Sequence, residues 1–521
     1  TSYTYNGLGE ISSETLPGDA SIGTLTTYFK YDVNGRKRVV YDTVGNRTEY
    51  TYDSLGNLTE QSVIDANTGE SVKTSYRYDL ASNQVEQTDA LNTTTKYTYD
   101  ELGRLKQESV YVDGIEANPK TTSYWYDANG NCIEERDYLG NSIISVYDDR
   151  NRLTAQYDPL GNLISANTYD ENGRQLTATD ALGNMTRYAY DANGNVTVVT
   201  DPRGAVSIKE YDADGNVVRE SDSLGNQTIY EFDARNRLVD VRTPMGENYT
   251  YVYDGVGNML VQQDGAGNRI AYTFNVRNLE TSRQDIGSVE EPALNTPKEV
   301  YSYTADGKLL QKTDRNGIPT NYTYDGLGRL VSEKAGNEEK QYGYDAAGNL
   351  LFMRNGADIT RRTYDAEGRV VSKTVDGIGT VTYQYDIPMG AGAVKEITTA
   401  PDVSVTETVY DAVGRVSQVS GSRGETVHYV YNANGSCQAT VYEDGTREDY
   451  VYDASGNVLT VKHTDRYGTL LDAYEYEYDI AGNLTKETSQ YGTTTYVYDA
   501  DCRLQSVTEP EGKTTTYSYD M

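Results

Sequence analysis

The residues of this chain that could most readily do chemistry are acidic side chains in short Gly-containing segments. Asp212-Ala-Asp-Gly-Asn216 is one of them, and 127–131 and 191–195 repeat it with Asn at the central position. This spacing faintly resembles a calcium loop, which needs several oxygen ligands and commonly a distal Glu. The ligand spacing stops short here, which favours an Asx-turn, in which the Asp carboxylate accepts backbone N–H groups. We therefore predict no metal and no cofactor.

Other groups suited to catalysis are few, with three Cys and two His. Cys132 and Cys437 stand where Leu or Val usually sits and are predicted to be small buried hydrophobes, while Cys502 occupies a turn position and is expected to be exposed. His428 and His463 are far apart in sequence, which argues against a Cys/His nucleophile pair. Paired carboxylates could indicate a glycosidase, but these carboxylates recur as turn formers in every unit. We predict no catalytic residue and no enzyme.

The acidic segments belong to a repeat that runs through the whole chain, and the repeat decides the fold. The Asp that marks it, here called the Asp slot, can be followed through 24 copies from Asn6 to Asp520, of which 20 have Asp. The residue before the Asp slot is aromatic in every copy, and the residue three before it is aromatic in 19. In a strand these two ring slots share one face. We expect the rings to stack from repeat to repeat.

Each unit carries two turn signals. In the first turn the Asp-slot carboxylate can accept the N–H two residues on, and the Gly three residues after it, here called the Gly slot, can take a positive φ. Asn, the next best residue for that conformation, fills the Gly slot at Asn151, Asn236 and Asn278. Three residues fit the slot less well: Ser82, Met389 and Cys502. The second turn lies about ten residues later, as at 42–45 and 180–183, so we predict over forty short strands and no helix.

The best-kept copies of these positions form the predicted structural motif. They are Tyr52, Asp53, Gly56, Tyr99, Asp100, Gly103, Tyr190, Asp191, Gly194, Tyr211, Asp212, Gly215, Tyr253, Asp254, Gly257, Tyr324, Asp325, Gly328, Tyr452, Asp453 and Gly456. We interpret the paired Tyr face as structural rather than as a ligand-binding surface. Extra residues enter at 64–71 and 287–297, where they are expected to lengthen a hairpin or form a flap.

Composition limits what the repeat can build. The 521 residues show no linker between blocks, so we predict one array over 1–521, and because it opens and closes inside a repeat we expect a fragment of a longer protein. The apolar share of 37% with 50 Tyr is low for a solid core. The net charge of −33 argues against nucleic acid, and no apolar run is long enough for membrane insertion.

The predicted strip is too long to stay flat. About 48 strands at ~4.8 Å per strand make a ribbon roughly 230 Å long, and a twisted sheet of that size must curl or coil. Coiling lets successive windings pair and leaves the concave side facing a wet lumen.

This pattern resembles the YD-repeat, or rearrangement-hotspot (Rhs), family, which occurs in bacterial polymorphic toxins, the C components of Tc toxin complexes, wall-associated proteins and teneurins. Its carriers are Tyr-Thr-Tyr-Asp-Gly-Leu-Gly-Arg-Leu at 322–330 and the Asp-Pro-x-Gly turns at 158–161 and 201–204. The resemblance covers the whole chain. It implies an all-β strip of antiparallel hairpins that spirals into a hollow barrel-like shell around a C-terminal cargo. No Rhs core segment, autoproteolytic site or toxin domain is recognisable in the sequence.

Two functions remain open from the sequence. The first is a non-catalytic shell of a bacterial secreted or cell-surface toxin or delivery protein, whose partner is an enclosed C-terminal toxin or other protein cargo. The alternative is a cell-surface adhesin, a carbohydrate- or protein-binding repeat module in which exposed Tyr and Asn bind surface glycans. Exposure of the Tyr stripe should discriminate between them.

Overall fold

A computed structural model describes residues 1–66, 68–111, 119–293 and 296–520. In these ranges the chain forms 47 β-strands and no helix, which confirms the all-β prediction. Among them no helix is long and apolar enough to cross a membrane.

The first half of the array contains twenty-four strands. Their bounds are β1 Ser2–Tyr5, β2 Ile11–Leu16, β3 Leu25–Tyr31, β4 Lys37–Tyr41, β5 Arg47–Tyr52, β6 Leu58–Ile64, β7 Ser71–Tyr78, β8 Gln84–Thr88, β9 Thr94–Tyr99, β10 Leu105–Tyr111, β11 Lys120–Tyr126, β12 Cys132–Arg136, β13 Ser142–Tyr147, β14 Leu153–Tyr157, β15 Leu163–Tyr169, β16 Gln175–Thr179, β17 Met185–Tyr190, β18 Val196–Thr200, β19 Val206–Tyr211, β20 Val217–Ser221, β21 Gln227–Phe232, β22 Leu238–Arg242, β23 Asn248–Tyr253 and β24 Met259–Gln263.

The second half follows the same plan. Its bounds are β25 Arg269–Phe274, β26 Glu280–Gly287, β27 Lys298–Tyr303, β28 Leu309–Thr313, β29 Pro319–Tyr324, β30 Leu330–Ala335, β31 Glu338–Tyr344, β32 Leu350–Asn355, β33 Asp358–Tyr364, β34 Val370–Val375, β35 Gly379–Gly390, β36 Ala393–Thr399, β37 Val405–Tyr410, β38 Val416–Gly421, β39 Thr426–Tyr431, β40 Cys437–Tyr442, β41 Arg447–Tyr452, β42 Val458–Thr464, β43 Leu470–Tyr478, β44 Leu484–Ser489, β45 Gly492–Tyr498, β46 Leu504–Thr508 and β47 Thr514–Thr516.

All these strands lie in one sheet, in which each strand pairs antiparallel with the next one along the chain. The register slips by one residue beside the ring slot next to Asp, as between Ala189 and Tyr190. This slip is a β-bulge next to the first turn, with one extra residue on the second strand of the hairpin. The second turns have no such slip in the regular middle of the array, as between β16 and β17.

The sheet is a single layer with solvent on both faces. The chain exposes 29421 Å² of surface, whereas a compact monomer of 57.8 kDa would expose about 19,000 Å². Ile22 and Ala439 are the only buried apolar residues in the described part of the chain. Strand patterns agree, since in β17 Ala189 is exposed while Tyr188 and Tyr190 on the other face are half-buried. The Tyr side is therefore the more covered face.

The layer coils into a spiral. Hydrogen bonds join residues 251 to 280 positions apart, and they always link the first half of the array to the second. We call β1–β24 the first winding and β25–β47 the second winding. Among the described strands β1 and β47 do not pair, so the spiral is open along its length rather than closed into a ring of strands.

The three Asn residues at the Gly slot have the backbone conformation that the sequence predicts. Asn151, Asn236 and Asn278 take φ of 62°, 59° and 61°, as predicted for the Gly slot.

Ser82 and Cys502 were expected to fit less well, yet they adopt φ of 65° and 58°, because the turn hydrogen bonds determine the backbone there. Met389 does not, because β35 continues through its turn to Gly390 and the positive φ falls on Asp386.

The two predicted insertions lengthen hairpins. Asp65 donates its N–H to the carbonyl of Glu70 between β6 and β7, and Ala293 donates to Ile286 after β26. Asn67 of the first insertion and Asn295 of the second, with its neighbour 294, lie outside the described residues.

Candidate functional site: the repeat latch and the seam between windings

The predicted motif residues build nearly identical first turns. All seven motif glycines have positive φ, from 76° at Gly103 to 108° at Gly257. The Asp53 carboxylate accepts N–H groups from Leu55 and Asn57 at 2.9 Å each, and its Oδ2 accepts the Asn57 amide. Six of the seven motif aspartates accept the N–H two residues on, and all seven accept the one four residues on.

These hydrogen bonds favour the ionised carboxylate. The Asn57 amide and the backbone N–H groups lower the pKa of Asp53, and the same arrangement lowers the pKa of Asp191 and Asp212. At Asp233 the Arg237 side chain, which follows the Gly slot, lowers the pKa of the carboxyl to about 2. In the Asp212 loop the carboxylate is occupied by Asp214 N–H and Asn216, which confirms the Asx-turn interpretation.

The ring slot next to Asp holds consecutive repeats together. Tyr190 donates its hydroxyl to the carbonyl of Gln175 at 2.7 Å, and Tyr452 donates to Cys437 at 2.8 Å. Each acceptor lies at the start of the second strand of the preceding repeat. All seven motif tyrosines make this bond. We call this hydroxyl-to-carbonyl bond the repeat latch.

The Arg that follows the Gly slot strengthens the repeat latch, and the sequence-based prediction did not include it. Arg174 donates from Nε to its own Asp170 and from Nη1 to the carbonyl of Asp191 in the next repeat. Its guanidinium also lies 5.0 Å from the Tyr190 ring centroid. Nine arginines stack in this way at 4.5–5.0 Å. The recurrence of Arg after the Gly slot was a visible signal.

The expected ring-on-ring ladder between repeats is wrong. Among the described residues the only ring pairs are Tyr383–Tyr385, within one strand, and His463–Tyr474. The reason is spatial: the ring slots recur on every second strand, and the guanidinium of the intervening Arg occupies the space beside the ring. Repeats are thus connected through hydroxyl–carbonyl and cation–π contacts.

A second kind of contact joins the two windings. We call it the seam: second turns of the first winding lie against first turns of the second winding. At one end Arg277 donates to the carbonyls of Pro17 and Gly23, and the Val276 N–H donates to Asp19.

The middle of the seam alternates single hydrogen bonds with cation clusters. Thr93 donates to the carbonyl of Ala366 at 2.9 Å. Lys120 pairs with Glu367 at 2.5 Å and with Asp386 at 2.7 Å, and its pKa is raised because these hydrogen bonds outweigh its burial. The seam therefore brings cations to a margin that is otherwise lined by turn carboxylates.

The same pattern continues to the other end. Arg203 reaches the carbonyls of Asp479 and Ile480 and lies 3.4 Å from the Asp453 carboxylate, while Ser455 donates to Asp201.

Arg503 pairs with the nearly buried Glu247 at 2.5 Å. Each cation contacts groups of the other winding. The seam therefore specifies which turns of the two windings face each other and also stabilises their contact.

Groups considered for catalysis have structural partners. Cys132 and Cys437 are half-buried and contact the carbonyls of Glu134 and Ala439, and Cys502 is exposed as expected. In the described ranges no group of three or more His, Cys, Asp or Glu is placed to hold a metal ion.

Comparison with known proteins identifies the repeat. The model of the RHS Repeat matches residues 78–116, 126–163, 169–206, 211–247, 232–270 and 303–340. A curated relative, Double-stranded DNA deaminase toxin A of Burkholderia cenocepacia, is 28% identical over 130 residues, which cover 22% of this chain and 9% of the relative.

Solved structures share the fold. The crystal structure of TcdB2-TccC3-Cdc42 matches 98% of this chain with a TM-score of 0.61 at 14% identity, and that of TcdB2-TccC3 without hypervariable C-terminal region matches 98% with 0.58 at 15%. This chain spans 31% and 34% of those chains. At such identities the likeness concerns the fold alone.

Proposed function

We propose, from the RHS repeats that this chain carries, that it is part of the non-catalytic wall of a hollow shell in a bacterial secreted or cell-surface toxin or delivery protein. The shell encloses a C-terminal protein cargo. The observation that carries the proposal is the seam, because it joins two windings of a one-layer sheet into a continuous wall. The surface of 29421 Å² belongs to such a wall and not to a solid domain.

The named relatives support the setting. One is called a toxin, and the chain resembles only 9% of its length, so the deaminase activity in its name stays with that protein. The other similarities concern fold over nearly the whole of this chain. A wall segment that recurs in larger proteins is what the encapsulation proposal requires.

The surroundings of the Tyr stripe favour the function of a shell wall rather than that of an adhesin. An aromatic surface that binds glycans needs accessible ring faces. Here the ring slots next to Asp are half-buried, Arg side chains cover nine of the rings, and the hydroxyls are donated to backbone carbonyls. We infer that the motif residues hold the wall together and bind no glycan. The net charge of −33 likewise supports the absence of nucleic acid among the partners.

The test is protease protection in the full-length natural protein. With an intact wall, the cargo should resist a protease that rapidly digests the same cargo expressed alone. Equal digestion of the cargo in both settings would reject enclosure.

The seam offers a matched control. Arg503→Ser together with Arg203→Ser removes cross-winding pairs and should open the wall, so the cargo becomes sensitive. Arg219→Ser removes an exposed strand arginine whose partner, Glu210, lies on the adjacent strand, and protection should remain.

A further inference from the structure

One ladder pair on the Tyr side of the sheet brings two cations together. Arg362 occupies the ring slot three before Asp365, where most repeats carry an aromatic ring, and it stands directly opposite Lys373 on the next strand. Side chains in such a pair leave the same face with Cβ atoms about 5 Å apart, and like charges there destabilise a sheet. Both residues are half-buried, so solvent and salt screen their repulsion only in part.

A second repeat also has a cation at this ring slot, and there the cation faces a carboxylate. Lys209 lies three before Asp212, and the residue directly opposite it is Glu220. The Lys209 ammonium and the Glu220 carboxylate form an ion pair at 3.3 Å. The Arg362 pair has the same place in the ladder but lacks the anion, because Lys373 stands at the position that corresponds to Glu220.

No acidic side chain among the described residues supplies that anion. Neither the Arg362 nor the Lys373 side chain forms an ion pair, a hydrogen bond or a ring contact within this part of the chain. The Nη1 atom of Arg362 is buried without a hydrogen-bond partner. The carboxylates of the adjoining turns are engaged elsewhere, since Asp365 and Asp376 each bind another arginine. The two cations are therefore uncompensated from within the fold.

The surroundings of the two cations select an oxyanion as the missing group. Neighbouring ladder positions on this face are uncharged, with Thr360 opposite Val375 and Val381 opposite Lys373 on its other side. A guanidinium and an ammonium side by side supply paired N–H donors and a point charge, a combination that binds carboxylate and phosphate. A water molecule could accept from the buried N–H but would leave both positive charges uncompensated. An oxyanion satisfies both requirements.

We propose that Arg362 and Lys373 form a binding site for an oxyanion, a carboxylate or a phosphate, on the Tyr side of the second winding. The net charge of −33 repels anions from the protein as a whole, so binding needs a local pair of cations such as this one. The site contains no residue of the repeat latch or of the seam, and it requires no cargo. Its test is therefore separate from that of enclosure.

The experiment is a titration of the purified protein with sodium phosphate and, as the carboxylate probe, with sodium acetate. Sodium chloride at equal ionic strength is the reference. A ligand that binds the folded state raises the melting temperature, and hydrogen exchange of β33 and β34 shows where it binds. Phosphate, acetate or both should raise the melting temperature above the chloride reference and protect these two strands.

Two variants remove the site in opposite ways. Arg362→Tyr restores the ring that most repeats carry and should weaken oxyanion binding more than about tenfold. Lys373→Glu supplies the missing carboxylate from the chain itself. It should raise the melting temperature without added oxyanion and abolish the response to phosphate and acetate.

Lys209→Tyr is the matched control, because it removes a cation from the same ring slot in a repeat where Glu220 already neutralises the charge. Its response to oxyanions should equal that of the wild type, and circular dichroism should show that all three variants are folded. Comparison among them also separates binding from the general stabilisation that phosphate gives to proteins. A wild type that responds to both oxyanions no more than to chloride would overturn the proposal. A response that survives in both Arg362→Tyr and Lys373→Glu would overturn it as well.

Discussion

The first turns at Asp53 and Asp453 are alike in themselves and different in their surroundings. Both carboxylates accept two backbone N–H groups at 2.9 Å, and both are followed by a glycine at positive φ. The Asp53 turn lies on the margin of the first winding that does not take part in the seam, where the tip of Leu55 is 62% exposed. The Asp453 turn lies in the seam, where Arg203 approaches its carboxylate and Ser455 donates to Asp201.

This difference separates two levels of stability. The turn is complete without the other winding, because its hydrogen bonds join residues at most four positions apart. The seam adds contacts that join residues over 250 positions apart. Local turns should thus persist when the windings separate, as in other repeat arrays whose stability is summed over neighbour interfaces.

Acid should produce the largest effect, because it acts on many first turns at once. The folded pKa of Asp233 in a first turn of the first winding and of Asp19 in the seam is about 2, below the ordinary 3.8. A lowered folded pKa means that the stabilisation is present above the ordinary pKa and is lost as the pH falls through the folded value. The melting temperature should therefore fall steeply between about pH 4 and pH 2.

Scattering can show whether the seam opens within that same pH interval. A melting temperature that is unchanged down to pH 2 would show that the turn carboxylates do not contribute as described.

Replacing one latch Tyr should destabilise the protein less than acid does, and the loss of stability should be the same in both windings. Tyr190→Ala and Tyr431→Ala should each destabilise their repeat by up to about 3 kcal/mol, because each ring lies under an Arg side chain and donates its hydroxyl to the preceding repeat. Phe at either position keeps the ring and should cost about 1 kcal/mol for the lost hydroxyl bond. Hydrogen exchange of the flanking strands measures both.

Unequal costs at the two positions would contradict a latch that is independent of the seam.

Substitution of a turn glycine should have the next largest effect on stability. Gly56→Val and Gly456→Val should each cost about 1–2 kcal/mol, since both glycines have φ near 90° and a Cβ there is strained even in open space. Ser455→Val should cost less, about 0.5–1 kcal/mol, and only through its seam bond to Asp201. Chemical denaturation of the three variants compares these values.

If Ser455→Val equals Gly456→Val, the turn assignment is wrong.

The smallest effect should come from a single seam ion pair. Arg415 and Arg503 both stack on a ring and bind their own Asp, but only Arg503 also reaches Glu247. Arg503→Gln should therefore lower the melting temperature more than Arg415→Gln does. Added salt should reduce that difference.

Equal stability of the two variants at low salt would show that the ion pair with Glu247 does not stabilise the seam.

The amino-acid sequence by itself determined the repeat, the strand pairs and the first turns of this protein. Those features depend on contacts within a few residues, so the types at the Asp, Gly and ring slots are sufficient to predict them. The positive φ of Asn151, Asn236 and Asn278 is the clearest case. The role of the latch Arg could also have been predicted from the sequence, because its partners lie in the adjacent repeat.

Only the tertiary structure decided which turns meet. Nothing near Asp453 in sequence distinguishes it from Asp53, yet Arg203 of the other winding approaches the Asp453 carboxylate, whereas the Asp53 carboxylate binds groups of its own turn. The pairing depends on the twist summed over two dozen hairpins, where a small change per strand shifts the contact by a whole repeat. The failure of the ring ladder has a related cause: strand-face periodicity places rings on one side, but only three-dimensional spacing shows that Arg lies between them.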